Sequence, residues 1–467
     1  MKPLYFYKRA DMLDRSGQGA IGVIAIVFFV AMILLLTLLG VPLQTAVVIV
    51  VGCLIFFISF INTDLALIIL IFSMLLSPEF VTGETTARAV KIRADDIFLI
   101  VIFCGWLAKM AINKELGLLR TTRLNKPIMI YILICLFATF LGVVAGRMNA
   151  KSAFFFLIKY IEYFLLFFMV ANNLKTVRQA KKFVFFLLLT CLLVSIYASG
   201  QIRGGERVSA PFESAGSEPN TFAGYLILMI SLIIAFIIYP PSVKQRMALF
   251  GLLAVAGTSF LMTLSRSGWI SFFPAIMTLI LATKKYRFQL VTLVLIAAIA
   301  LPIFAPEKVR ARIDETFTPL RHYKFMGKGI GVDESTAARI DSWGIGIKRW
   351  AAKPIFGYGI PAGAVIDNQY MRVLNESGII GFSVFMWILF TIFSITREAY
   401  VAAGEDYFKR AVSLGLLAGF MGLLILSSAA SVFILIRIME PFWFLVAIVA
   451  MLPELEEEKE SAMETGS

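Results

Sequence analysis

The sequence predicts an all-α protein, a polytopic membrane bundle of about twelve to fourteen transmembrane helices with one long extracytoplasmic loop carrying short helices of its own. Three observations lead there. Sixty per cent of the 467 residues are hydrophobic and 16% are charged, against roughly a quarter charged in an ordinary soluble domain. The apolar residues gather in runs of about 20, the length that crosses a bilayer core as a helix. Lys and Arg crowd onto one set of connecting segments, as they do on the cytoplasmic side of membrane proteins. A soluble enzyme is excluded, and so is a disordered chain, which needs low hydrophobicity.

The first 17 residues are polar and basic. The apolar run at 20–39 is too long for the core of a signal peptide and has no small-residue cleavage site after it, so it is expected to be an uncleaved first span. Further spans are expected at 44–62, 64–77, 95–112, 127–145, 152–172, 183–199, 220–239, 247–264, 267–283, 289–305, 376–395, 411–431 and 432–451. The run at 64–77 is short and open to a re-entrant reading. The last two runs are nearly continuous, so one long broken helix is the alternative there. Cys53, Cys104, Cys135 and Cys191 all sit inside apolar runs with no C-x-x-C spacing. They read as small core residues, not disulfides or zinc ligands. A single histidine, His322, excludes a multi-histidine metal site.

With the N-terminus inside, the inner segments hold twenty-one Lys and Arg and the short outer ones eight. Both termini are therefore expected in the cytoplasm. The acidic end at 452–467 becomes a solvated cytoplasmic tail. The net charge of +13 is explained by basic loops facing anionic lipid headgroups; no basic-aromatic patch lies on a polar domain, and no nucleic-acid partner is expected. The chain divides into N-terminal helices (1–199), a central core (200–395) containing the outer loop 306–372, C-terminal helices (396–451) and the tail.

Long loops without structure are uncommon unless functional, and 306–372 carries structure signals. Ser335 or Thr336 can cap a helix, after which Ile340, Trp343, Ile347 and Trp350 form one apolar stripe, the pattern of an amphipathic helix lying on a membrane. Pro354 ends it, and GYGIPAG (357–363) makes a tight loop. A second outer loop, 200–219, holds Arg203, Arg207 and several glycines, with Asn220 placed to cap the next helix. Arg266, in SRSGW, lies between two apolar runs, where an arginine is costly unless paired, snorkelling or facing a ligand. Arg203, Arg207, Arg266 and Arg339 thus share one side of the membrane. Their planar forks suit phosphate, which points to a lipid-linked phosphate or diphosphate. Within the spans, Lys159 with Glu162 and Arg437 with Glu440 stand at i, i+3. They read as self-neutralising pairs on one helix face, with a proton path as the sharper alternative.

These motifs together resemble one family. SRSGW opening a helix, PIFGYG before a polar turn, and DNQYMRVLNESGIIGF leading into a span are similar to the conserved block of the O-antigen ligase and O-antigen polymerase superfamily. ERVSAPFESAGSEPNTFAGYL resembles that family's upstream element, an arginine followed by Pro-Asn at a helix start. The resemblance implies a metal-independent, cofactor-free glycosyltransferase of the GT-C type in the bacterial cytoplasmic membrane. Such an enzyme takes a glycan from a polyprenyl (undecaprenyl) diphosphate at the outer face and passes it to a glycan or lipid-linked acceptor, in O-antigen, capsule or exopolysaccharide synthesis. A chain-length regulator or a flippase is the partner it suggests. The arginines would bind the diphosphate, and Asn220, Asn368, Gln369 and Tyr370 would line the substrate loop. Ligases carry His, then Asn, Ser or Gln, nine residues, and Gly-x-x-Gly. Here Asp367 replaces the histidine before Asn368 and Gly378-Ile-Ile-Gly381. That favours a polymerase, with Asp367 as catalytic base and Glu376 in reserve. The alternative is a multi-spanning transporter or flippase of lipid-linked sugars.

Overall fold

The structure is a computed structural model that describes residues 31–84, 89–113, 119–203, 207–212, 218–240, 242–315, 321–325, 328–363 and 366–455. Most of the first expected span and the end of the acidic tail lie outside them; residues 31–38 are helical. The remaining apolar runs form α1 (Leu43–Ile61), α2 (Thr63–Leu76), α3 (Ala94–Ile112), α4 (Asn125–Val144), α5 (Ala150–Asn173), α6 (Val177–Arg203), α7 (Pro219–Ile238), α8 (Val243–Met262), α9 (Arg266–Ala282) and α10 (Arg287–Phe304). The long loop contributes α11 (Glu307–Asp314) and α12 (Glu334–Ala352), and the chain closes with α13 (Gln369–Ala402), α14 (Tyr407–Leu426) and α15 (Ile436–Met451). Among the described residues, eight helices, α4–α8 and α13–α15, are long and apolar enough to cross a membrane, and α1, α2, α9 and α10 are shorter apolar helices. The protein is an all-α integral membrane protein. Two antiparallel hairpins are its additions to that class, β1 (Glu79–Glu84) with β2 (Ala89–Arg93) and β3 (Arg321–Phe325) with β4 (Lys328–Val332).

Helices apolar on every side belong at the centre of a bundle, and α7 and α15 are buried along nearly their whole length. α7 packs on α14, α8, α9 and α15. Its approach to α14 is close because α14 offers Gly415 and Gly419. A Cβ at either would lie within 3.0 Å of the Leu232 or Leu228 Cα, the small-residue contact by which membrane helices gain van der Waals packing.

Two readings that the sequence left open resolve, and one boundary moves. α2 is short, about 21 Å at 1.5 Å per residue, and buries Leu67, Leu70, Ile71 and Met74 within the bundle. The residues at 411–451 are two helices, separated by a turn and the 3-10 segment Val432–Ile434, rather than one broken helix. The long loop ends at Asn368, not at 372, because Asn368 caps α13 by accepting from the Met371 N–H at 3.0 Å. Its next turns are polar yet buried at Arg372, Asn375 and Glu376; hydropathy leaves the first two outside the expected span 376–395. The cysteines are free thiols: Cys135 and Cys191 are core residues, Cys53 is partly buried and Cys104 is exposed on its helix.

Candidate diphosphate site at an arginine corner

The connection from α8 to α9 is three residues long, Thr263, Leu264 and Ser265. It turns so sharply that Leu264 takes φ 51°, a left-handed conformation that costs a side-chain-bearing residue about 1–2 kcal/mol. Two arginines use the carbonyl this corner exposes. Arg207 donates from Nη2 to Leu264 O at 3.1 Å and from Nε to Thr263 O at 3.2 Å. Arg312, on α11, donates from Nε to Leu264 O at 3.3 Å. The backbone of Val208 also donates to Met262 O at 3.2 Å, tying the Arg207 loop to the same corner. Charge-assisted bonds of this kind contribute about 1.5–3 kcal/mol each, enough to offset the strain at Leu264.

Arg266 follows at the first turn of α9 and reaches to the start of α12, where it bonds the Asp333 carboxylate and the Ser335 hydroxyl. Asp333, not Ser335 or Thr336, is the helix cap. It accepts from the Ser335 N–H at 3.1 Å and from the Thr336 hydroxyl at 2.5 Å. Burial pulls the Asp333 carboxyl upward, but the bonds from Thr336, Ser335 and Arg266 outweigh it and hold the group well below the usual carboxylate range. Arg339 stands one turn further along α12. Burial, then the charge of Arg266, lowers its pKa, while Asp367 and Asp333 oppose the shift. Arg207 is a solvent-exposed residue, yet the desolvation of its guanidinium against the corner, followed by the charge of Arg312, lowers its pKa too. Four like charges therefore face one another at one end of the bundle, an arrangement an anion relieves. Arg312 and Asp333 escape a motif-based reading. Arg312 lies on α11, a short polar helix that reads as loop. The Arg203 and His322 side chains lie outside the described residues.

The glycine-rich loop has a structural task. Gly357, Gly359 and Gly363 adopt φ 68°, 89° and 71°. The loop docks on a break in α13 at Gly378, whose φ 66° and ψ −167° are essentially open to glycine alone. Tyr358 N–H donates to Asn375 O at 2.8 Å, Gly359 N–H to Glu376 O at 2.9 Å, and Ile379 N–H to Pro354 O at 2.8 Å. The backbone groups freed by the break are thus satisfied by the loop. A Cβ at Gly378 would lie 2.0 Å from Ile355 O, and one at Gly381 would lie 2.0 Å from the Ser377 hydroxyl. The Gly-x-x-Gly pair is there for close packing and not for ligand contact.

Residues 251–386 match a family model described as O-antigen ligase. This stretch is an O-antigen ligase domain. No curated protein matches the chain. The domain spans the corner at Leu264, Arg266, Arg312, Arg339 and Asp367, and Arg207 reaches it from the preceding loop. The match supports a membrane glycosyltransferase of the O-antigen ligase/polymerase type.

Several residues expected to line the substrate loop serve as structural latches. Asn220 does not cap α7, which is preceded by Glu218. It accepts from Ser265 Oγ at 2.7 Å, and Ser265 in turn caps α9 through Gly268 N–H at 3.1 Å. At the start of α13, Asn368 donates to Ser428 O at 3.0 Å, Gln369 N–H to Ser427 O at 2.8 Å, and Tyr370 to Leu424 O at 2.8 Å. Gln369 also accepts from Phe433 N–H at 3.1 Å. The carbonyls at the C-terminal end of α14 lack partners within the helix, and the first residues of α13 supply them. Glu376 is buried in mid-helix, paired with Arg372 at 2.9 Å and bonded by the Tyr160 hydroxyl. Its burial and pairing leave Asp367 as the exposed carboxylate of the two. Asp367 stays exposed, its N–H accepted by Ser342 Oγ at 3.0 Å.

The intramembrane pairs are also rearranged. Lys159 pairs with Asp96 on α3 at 2.8 Å, and Arg437 with Glu79 on β1 at 3.4 Å, while Arg437 also donates to Pro211 O at 2.6 Å. Arg93 pairs with Asp95 at 2.6 Å. Glu162 and Glu440 are buried, and neither carboxyl has a hydrogen-bond partner among the described residues. The i, i+3 spacing aligns these side chains along their helices, but the ion pairs form with Asp96 on α3 and Glu79 on β1.

Proposed function

We propose that the arginine corner binds the diphosphate of a polyprenyl-diphosphate-linked glycan, and that the protein extends a surface or exported polysaccharide from it as a polymerase. The observation that carries this reading is the convergence of Arg207 and Arg312 on Leu264 O beside Arg266 and Arg339. In the reaction, an acceptor hydroxyl attacks the anomeric carbon and the bond from that carbon to the diphosphate oxygen breaks. The lipid diphosphate departs against the arginines, whose charge matches the negative charge growing on it. The hydroxyl proton passes to Asp367, the exposed carboxylate acting on Arg339. General-base help of this kind is worth roughly a hundred- to ten-thousandfold. In this reading the corner lies on the extracytoplasmic side of the bacterial inner membrane, which the Lys/Arg bias supports, where a flippase would deliver the donor and a chain-length regulator would act. Asp367→Asn is expected to abolish transfer while donor still binds, and His322→Ala to be tolerated; normal chain lengths from Asp367→Asn would remove it as base. Deleting the gene separates the two activities. Single repeat units retained without long chains indicate a polymerase, and polymer accumulating on its lipid carrier indicates a ligase.

A further inference from the structure

The opposite end of the bundle holds a second set of cations that glycosyl transfer does not use. A cleft of about 550 Å³ opens there among helix ends. Ile61 closes α1, Thr63 opens α2, Lys109 lies in the last turn of α3, and Asn173 closes α5. Lys175, Arg178 and Lys182 complete the lining at the start of α6. Four cations thus reach one concavity from separate parts of the chain. The acid beside them, Asp64, already accepts from the Gln179 amide at 2.5 Å. α2 and α6 both begin at this cleft, so two helix N-termini add their partial positive charge. A positive-inside bias explains many basic residues at this end. It does not require them to line a shared concavity.

We propose that this cleft binds the phosphate headgroup of an anionic phospholipid from the cytoplasmic leaflet. The lining residues lie in or beside the end turns of their helices, which is headgroup level in a bundle that spans the bilayer. Lys181 and Lys182, successive on α6, face different hollows. Lys182 lines the cleft, and Lys181 lines an apolar groove of about 380 Å³ between Leu188 and Leu192 of α6 and Leu249 and Leu252 of α8. The groove gives acyl chains of that leaflet a seat on the neighbouring face of the helix whose N-terminus takes the headgroup. Basic pockets between helices on the cytoplasmic side suit anionic lipid headgroups in this way.

A free phosphate shares the headgroup chemistry, and one experiment separates the two. The thermal unfolding midpoint of the purified protein in detergent is followed while phosphatidylglycerol, phosphatidylcholine or inorganic phosphate is added. Phosphatidylglycerol is expected to raise the midpoint saturably, and the other two to leave it unchanged. Neutralising Lys109, Lys175 and Lys182 together to Gln should weaken the apparent phosphatidylglycerol affinity roughly a hundredfold, each lysine being worth about fivefold. Lys126→Gln with Lys284→Gln and Lys285→Gln removes the same charge elsewhere at this end and should leave affinity intact. If the triple cleft variant does not fold, Lys109→Gln alone decides, with about a fivefold loss expected. Equal losses in the two triples, no response to phosphatidylglycerol, or a full response to inorganic phosphate would each overturn the proposal.

Discussion

Replacing Gly378 with alanine probes the seam by which the glycine-rich loop docks on the broken helix α13. The backbone at Gly378, φ 66° and ψ −167°, costs a residue with a Cβ about 1–3 kcal/mol. The new methyl would sit 2.0 Å from Ile355 O and 2.6 Å from Phe356 N, both backbone atoms, so it cannot be relieved by a side-chain rotation. The loop 354–359 must lift, and with it the bonds Tyr358–Asn375, Gly359–Glu376 and Ile379–Pro354, each contributing about 0.5–1.5 kcal/mol. The sum is about 3–7 kcal/mol, a large share of the 5–15 kcal/mol that holds a typical domain folded. Gly344→Ala is the comparison: it lies in α12 with nothing within 4 Å of its Cβ position and should stabilise by about 0.5–1 kcal/mol. Thermal unfolding in detergent, with the folded fraction read by size exclusion, measures both. A Gly378→Ala protein that unfolds at the wild-type temperature would refute the seam.

Asp333→Asn should destabilise by about 1–3 kcal/mol at pH 7 through loss of the charge facing Arg266. Because the folded carboxyl is held below its unfolded pKa of about 3.9, its contribution is full above that value and is lost as pH falls towards the folded one. Denaturation midpoints of the two proteins should converge in acid, and a pH-independent gap would count against the pairing. Glu162→Gln and Glu440→Gln, at carboxyls with no partner among the described residues, should unfold within about 1 kcal/mol of wild type, whereas Lys159→Met should lose about 3 kcal/mol by stranding Asp96; the reverse order would show the wrong groups to be paired. In a background with Cys53, Cys104, Cys135 and Cys191 replaced by alanine, an impermeant thiol reagent added from outside should label Ser214→Cys and Ser335→Cys but spare Ser242→Cys. The opposite pattern would invert the topology.

The bundle was legible because span formation depends on hydropathy over about 20 residues, a quantity a sequence states outright. The order of α1 to α10 and of α13 to α15 follows the apolar runs, and the kept spacing from Asp367 to Gly378 marked the domain. Partner choice was not legible. Lys159 and Glu162 are close along their helix, but Asp96 is closer in space, and no spacing rule contains α3. Arg372 and Asn375 fall outside the expected span because they are polar, yet Arg372 pairs with Glu376 and Asn375 bonds Gly346 O at 3.0 Å. Arg312 lies on a short polar helix without periodic signal, so only the three-dimensional corner at Leu264 identifies it. Asn368, Gln369 and Tyr370 matched the motif for a packing reason, the unsatisfied end of α14.

The central claim is that the corner holds the leaving diphosphate, and turnover by the purified protein in liposomes with a lipid-diphosphate glycan donor tests it most directly. Arg207→Lys and Arg312→Lys keep the charge and lose the fork. Each variant, at matched folded protein, should lose about ten- to a hundredfold in transfer rate, the equivalent of about 1.5–3 kcal/mol. Wild-type rates from both would contradict the account.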